Sequence, residues 1–239
     1  MYLSRIRYRD LHAASQAIHS ALQDEKKGVR THDYRSHQLL WQLFSEQELR
    51  SFLFVEQPSK GLQSIKGMPE YLVLSQHKPQ QIDWCHVQTK PFNPKLFEGQ
   101  RLAFQLRANP TITTTVKDDQ KGIWIKKRHD VIMHAKKQYQ ENVEVTQQEY
   151  VEQAACSWLK QEQRMASGGY KIDSLHVIAT QQHKLLQYRS KNSIYFSSVD
   201  YEGTLQVTNP DLFLKQINQG IGKSRSMGCG LWLIRPCPM

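Results

Sequence analysis

The residues of this chain best suited to chemistry fall in two short stretches at opposite ends. Near the C-terminus, Gly220-Ile221-Gly222-Lys223-Ser224-Arg225-Ser226-Met227-Gly228-Cys229-Gly230 sets four glycines around one lysine, one arginine and two serines. Glycine lacks a Cβ and reaches positive φ, so such a loop can bring backbone N–H groups close to an anion, and Lys223 and Arg225 add charge. Near the N-terminus, Tyr34 and His37 stand three apart in the stretch Asp33-Tyr34-Arg35-Ser36-His37-Gln38-Leu39-Leu40-Trp41-Gln42-Leu43-Phe44, a spacing that puts both on one side of a helix. An imidazole with an ordinary pKa of about 6.5 gives or takes a proton near neutrality. Spacing alone leaves both stretches open. A glycine-rich loop also serves as a plain connector, and a Tyr and His three apart also occur on an ordinary solvated helix face.

The neighbours of the loop fix its order in the chain. Asn209-Pro210 reads as an N-cap followed by proline at the first helical position, Phe213 and Ile217 form an apolar i, i+4 pair, and Gly220 falls where a helix stops. The apolar run Leu231-Trp232-Leu233-Ile234 is short enough for a buried strand. The unit is therefore helix, glycine loop, final strand. A P-loop (G-x-x-x-x-G-K-[ST]) and a dinucleotide fingerprint (G-x-G-x-x-G) both sit between a strand and a following helix, so order and spacing exclude both.

At 3.6 residues per turn, Leu39, Leu40, Leu43 and Phe44 gather on one side of the first helix and Tyr34, His37, Gln38 and Trp41 on the other, with Asp33 as N-cap. Tyr34 and His37 are thus expected to project together from the face the core does not use. The alternation at 2–8 predicts a first strand, 24–31 a loop, and 51–56, 71–75 and 82–89 further strands, before a linker at Phe92-Asn93-Pro94. Beyond it, 102–107 reads as a strand stopped by Asn109-Pro110, and Lys126-Lys127-Arg128-His129 and Lys136-Lys137 are basic stretches. Residues 146–165 predict one amphipathic helix with a Thr146/Glu149 capping box and Val151, Ala154, Ala155, Trp158 and Leu159 inward. Strands at 175–180 and 194–199 enclose a hairpin tip in which Lys184, Arg189 and Lys191 interleave with Tyr188, a composition that can track a phosphate backbone. A strand at 205–208, the helix at 210–219 and the final strand close the chain. The expected class is α+β, two tandem ferredoxin-like (RRM-like) βαββαβ domains. Residues 1–92 would carry Tyr34 and His37, and residues 93–239 the basic hairpin and the glycine loop.

With 239 residues and 39% hydrophobic content the chain can bury a sizeable core. Lys and Arg number 32 against 22 acids, a formal charge of +10 that favours a polyanionic partner. There is no run of about 18 apolar residues, and Met1-Tyr2-Leu3-Ser4-Arg5-Ile6-Arg7 lacks the apolar centre of a signal peptide, so a cytoplasmic protein is expected. Cys85, Cys156, Cys229 and Cys237 form no C-x-x-C pair, and the histidines form no H-E-x-x-H, so neither a metal nor a disulfide framework is expected.

The string from Gln219 to Gly222 and from Ser226 to Leu231 resembles the C-terminal glycine-rich motif of the CRISPR-associated repeat endoribonucleases, and more narrowly that of the CasE family of the type I-E Cascade complex. Met1-Tyr2-Leu3-Ser4, Phe104-Gln105-Leu106-Arg107-Ala108-Asn109-Pro110 and Tyr201-Glu202-Gly203-Thr204-Leu205 are similar too, so the resemblance spans essentially the whole chain. It implies that Tyr34 and His37 match the family's Tyr-x-x-His cleavage pair. It also implies that Arg35, the hairpin cations Lys184, Arg189 and Lys191, and the loop residues Gly220, Gly222, Lys223, Arg225, Gly228 and Gly230 contact RNA. The implied substrate is CRISPR repeat RNA, cut at the 3′ base of its stem-loop. The chain would then retain the crRNA 3′ hairpin among other Cascade subunits, with no cofactor, no membrane and no direct contact to DNA.

Metal-free RNA cutting needs one group to take a proton from the ribose 2′-OH, one to give a proton to the 5′-oxygen, and positive charge for the crowded phosphate. His37 suits the main acid–base role, better as the donor to the leaving oxygen than as the acceptor. A phenol near pKa 10 is a poor base, so Tyr34 is read as orienting the 2′-OH, and a proton role for it stays open. Two rivals are a non-catalytic RNA-hairpin-binding module and a nucleotide-dependent enzyme. The absence of an RNP1 aromatic motif weakens the first, and the lack of Walker spacing weakens the second.

Overall fold

The computed structural model describes residues 1–23, 29–30, 32–44, 51–58, 67–118, 122–140, 144–187 and 193–237. They form β1 (Tyr2–Tyr8), α1 (Leu11–Gln23), β2 (Val29–Arg30), α2 (His32–Trp41) with a 3-10 turn at Gln42–Phe44, β3 (Phe52–Pro58), β4 (Pro69–Ser75) and β5 (Cys85–Pro91). There follow β6 (Arg101–Ala108), β7 (Thr111–Asp118), β8 (Ile123–Asp130), α3 (Val131–Gln138), α4 (Gln147–Leu159), α5 (Glu162–Gly168), β9 (Tyr170–Gln187), β10 (Ser193–Val207), α6 (Pro210–Gln219), a 3-10 turn at Arg225–Met227 and β11 (Trp232–Pro236). Contacts divide the chain into two compact units. The first is Met1–Lys95 with Lys184–Tyr195 and Ile217–Leu231, and the second is Leu96–His183 with Phe196–Gln216 and Trp232–Met239.

In the first unit an antiparallel sheet runs β3-β4-β1-β5, with Tyr2 opposite both Ser75 and Pro91 and Arg7 opposite Glu70 and His86. Ile6, Tyr8, Phe54, Tyr71 and Val73 of the sheet meet Ala14 and Ala17 of α1 and Leu39, Leu40, Leu43 and Phe44 of the second helical segment in one core. Each large apolar side chain so buried contributes about 1.5–3 kcal/mol, so the leucine stripe alone seats α2 firmly. Sequence periodicity missed α1, because the residues it turns inward include small alanines that make a faint apolar stripe. Asp10 marks its start, accepting from the Ala13 N–H at 2.7 Å. The Tyr-x-x-His helix is therefore the second helix. It begins at His32, so Asp33 lies inside its first turn instead of capping it. Of the loop expected at 24–31, Val29 and Arg30 instead pair as a short strand with Gln187 and Leu186 of β9, and the remainder lies outside the described residues.

The second unit has the sheet order β11-β6-β10-β9. In both sheets the first strand of the repeat, β1 or β6, lies between the third and the last, the arrangement of tandem ferredoxin-like (RRM-like) α+β domains. The β4-to-β5 connection is made without a helix. Residues 194–199 and 205–208, expected as separate strands, are both within or at the end of β10, whose ladder with β6 continues from Val199↔Ala108 to Gln206↔Arg101. The helix expected at 146–165 divides into α4 and α5. Its Thr146/Glu149 capping box is present, with Thr146 N–H to Glu149 Oε2 at 2.8 Å. The β7–β8 hairpin and α3 were hidden in what reads as a merely basic stretch. The glycine loop and the Lys184–Tyr195 hairpin end, expected with residues 93–239, group with the first unit, since the covalent continuity of a strand does not determine what its end touches. No helix of the described residues is long and apolar enough to cross a membrane.

Candidate functional site

The leucine stripe fixes which way α2 faces, and so where His37 stands. Its ring stacks on Phe52 of β3 with centroids 5.7 Å apart and lies 5.6 Å from that of Trp41. The expectation that His37 projects from a face unused by the core is corrected here: the imidazole is half-buried at the edge of the core, because Trp41 and Phe52 fold over it. Its Nε2 is shielded from solvent. Proton delivery from this ring calls for a rotation about its side-chain torsions or for presentation through Nδ1. Tyr34 lies on the same helix three residues earlier. Arg35, next to Tyr34 on α2, is half-buried, and burial raises the pKa of the nearby Tyr8 phenol above its ordinary value, an effect that the Arg35 charge opposes only weakly.

The glycine loop belongs to this same unit. Gly220, Gly222, Gly228 and Gly230 all have positive φ, from +72° to +94°. At Gly220 and Gly230 the reason is visible: a Cβ on Gly220 would meet Gly230 O at 2.9 Å, and one on Gly230 would meet Ile221 O at 2.7 Å. The Ile221 N–H donates to Gly230 O at 3.1 Å and closes the loop at this crossing. Gly220, Gly228 and Gly230 are buried; Gly222 and Arg225 are half-buried and Lys223 is exposed. Most of the glycines therefore shape the loop, and the cations are what it presents. Ser224 is the single non-glycine among the described residues with positive φ, and its carbonyl accepts from the Met227 N–H at 2.9 Å to form the 3-10 turn at 225–227. That turn packs against both α2 and β3. A Cβ on Gly228 would lie 3.3 Å from the Phe54 ring. His37 from one end of the chain and Arg225 from the other are thus carried by packed neighbours.

Beneath α2 runs a set of buried hydroxyls that sequence reasoning missed. Ser36 donates to Glu56 Oε2 at 2.8 Å, the Tyr71 hydroxyl is 3.3 Å from Ser36 Oγ, and the Tyr8 and Tyr71 hydroxyls are 3.2 Å apart. Burial, and then the neighbouring Tyr8 and Glu56, hold the Tyr71 phenol far above its ordinary pKa, so it stays protonated. No sequence signal marks this set, since its members come from four separate elements.

Of the hairpin cations, Lys184 places Nζ 5.7 Å over the Tyr195 ring. Arg189, Lys191 and Tyr188 lie outside the described residues. The sequence also passed over the β7–β8 hairpin, where Trp124 is 70% exposed and the exposed Lys126 and Arg128 fall at alternate positions from it on β8. The alternating Thr111-Ile112-Thr113 was the available signal. Among the described residues no three His, Cys, Asp or Glu side chains are placed to hold a metal ion.

A family model described as CRISPR associated protein matches residues 1–236. The chain is 28% identical over 209 residues to the CRISPR system Cascade subunit CasE of Escherichia coli K12, covering 85% of this chain and 92% of that one. It is 27% identical over 251 residues to the CRISPR-associated endoribonuclease Cse3 of Thermus thermophilus, covering 98% and 95%. The solved structure of Cse3 bound to a 19-nucleotide RNA superposes with a TM-score of 0.67 at 22% identity, over 99% of this chain and all of that one, a likeness of fold. The crystal structure of Cas6e from E. coli K-12 gives 0.62 at 25% identity over 99% and 100%.

Proposed function

The chain belongs to the CRISPR-associated protein family of the CasE and Cse3 type, and from that premise we propose that it is a metal-independent endoribonuclease acting on CRISPR repeat RNA. It cuts at the 3′ base of the repeat stem-loop and keeps the crRNA 3′ hairpin as a Cascade subunit. The observation that carries this reading is the packing of the Arg225–Met227 turn on α2, which puts an acid–base side chain and a cationic loop on adjoining elements of one unit.

The ribose 2′-oxygen attacks the adjacent phosphorus, the bond to the 5′-oxygen breaks, and the products are a 2′,3′-cyclic phosphate and a 5′-hydroxyl. His37 supplies the proton that the leaving 5′-oxygen takes up. Tyr34, three residues before His37 on α2, orients the attacking 2′-OH. Lys223 and Arg225, with Arg35, oppose the charge that accumulates on the non-bridging oxygens, where a fixed cation favours the transition state over the ground state. Recognition of the stem goes through shape and phosphates, because the deep, narrow major groove of A-form RNA hides the base edges. Lys184, Arg189 and Lys191 are the hairpin cations assigned to it.

The test is incubation of the protein with end-labelled repeat RNA in EDTA. One cut at the stem base, leaving a cyclic phosphate, is expected. Cutting that appears only with added Mg²⁺, or a 3′-hydroxyl product, would overturn the proposal.

A further inference from the structure

Ser36, the residue before His37, is 3% exposed, and a buried hydroxyl is unfavourable unless it is bonded. Its partner is not a carbonyl of its own helix but Glu56 Oε2, 2.8 Å away on β3. A serine hydroxyl has one proton. Having given it to the carboxylate, Ser36 can only accept from Tyr71, 3.3 Å away, and Tyr71 can then only accept from Tyr8, 3.2 Å away. The run of hydroxyls is polarised in one direction, toward Glu56.

Phe52, Phe54 and Glu56 are alternate residues of β3 and share one face of it. Phe52 stacks on His37, Phe54 approaches Gly228 of the loop, and Glu56 takes the Ser36 bond. Apolar packing alone leaves a helix some rotational freedom about its axis, whereas a hydrogen bond of this length tolerates little. A rotation of about 10° moves an atom about 6 Å from the helix axis by about 1 Å, a displacement worth about 10²-fold in rate at a reacting centre. We infer that Ser36 is a positioning residue, whose bond to Glu56, backed by Tyr71 and Tyr8, sets the rotation of α2 and thereby where His37 meets the scissile phosphate. The inference rests on the nuclease reading above.

The experiment is single-turnover cleavage of repeat RNA at saturating protein, beside affinity for the same RNA carrying a 2′-deoxy at the scissile nucleotide. Wild type is compared with Ser36→Ala, Glu56→Gln, Glu56→Leu and Tyr71→Phe, each assayed well below its thermal midpoint. Ser36→Ala and Glu56→Leu are expected to lose about 10- to 100-fold in rate with affinity within about threefold, while Glu56→Gln, which keeps an acceptor oxygen, stays within about threefold of wild type in both. Should Ser36→Ala not fold, Tyr71→Phe decides: a rate lowered about 3- to 10-fold at unchanged affinity supports the inference, and an unchanged rate overturns it. Ser36→Ala cutting at the wild-type rate, or Glu56→Gln failing as badly as Glu56→Leu, also overturns it. A wild-type protein that cuts no repeat RNA defeats the nuclease reading itself.

Discussion

His37, Lys223 and Arg225 carry the chemistry proposed here, and each is held differently. The imidazole lies against the rings of Trp41 and Phe52, which half-bury it, while Lys223 stays exposed on a loop closed by the Ile221 N–H bond to Gly230 O. An exposed cation on a rigid base suits a phosphate contact, because little backbone order is lost on binding. Replacing Lys223 and Arg225 together by alanine is expected to weaken repeat-RNA binding and to flatten the dependence of log K on log salt by about 1.4–1.8, at about 0.7–0.9 per lost phosphate contact. Titration of hairpin RNA across several salt concentrations checks it, and an unchanged slope would remove these two side chains from the interface. At this scale the residue types were legible in the sequence. The surroundings were not: nothing in the one-dimensional spacing of Tyr34 and His37 reveals Phe52 or Glu56, which arrive from strand β3.

The elements read from the sequence were those with strong, large-residue periodicity. The leucine stripe of α2, the Asn209-Pro210 start of α6 and the clean alternation of β6 all announced themselves. Helix α1 was lost because its inward residues include small alanines, and β10 was read in pieces because Asp200-Tyr201-Glu202-Gly203 interrupts the apolar pattern of a strand whose ladder with β6 nevertheless runs unbroken through them, from Val199 to Gln206. The glycine loop was legible as a loop with positive φ, but its glycines prove to serve mainly its own closure. Gly230→Ala forces a Cβ to within 2.7 Å of the Ile221 carbonyl oxygen at a backbone φ of +94°. This change is expected to destabilise the protein by about 1–3 kcal/mol and to lower cleavage with it. Urea unfolding of the variant measures the first effect, and an unshifted midpoint would show that the crossing at Gly220 and Gly230 is not a structural constraint.

For the whole molecule, the two βαββ-based repeats were foreseeable from element order, whereas the allegiance of the glycine loop was not. Its covalent neighbours α6 and β11 suggest the second repeat, and only the folded contacts assign Ile217–Leu231 to the unit that holds His37. On that assignment rests the proposal that a helix near the N-terminus and a loop near the C-terminus act on one phosphate. The most direct test is single-turnover cleavage of repeat hairpin RNA in EDTA by wild type and by His37→Ala, with binding of the uncleaved hairpin measured alongside. Cutting by wild type without metal, a fall of about 10²–10⁴-fold in the variant, and hairpin affinity unchanged within about threefold are expected. A His37→Ala protein that cuts at the wild-type rate would contradict it.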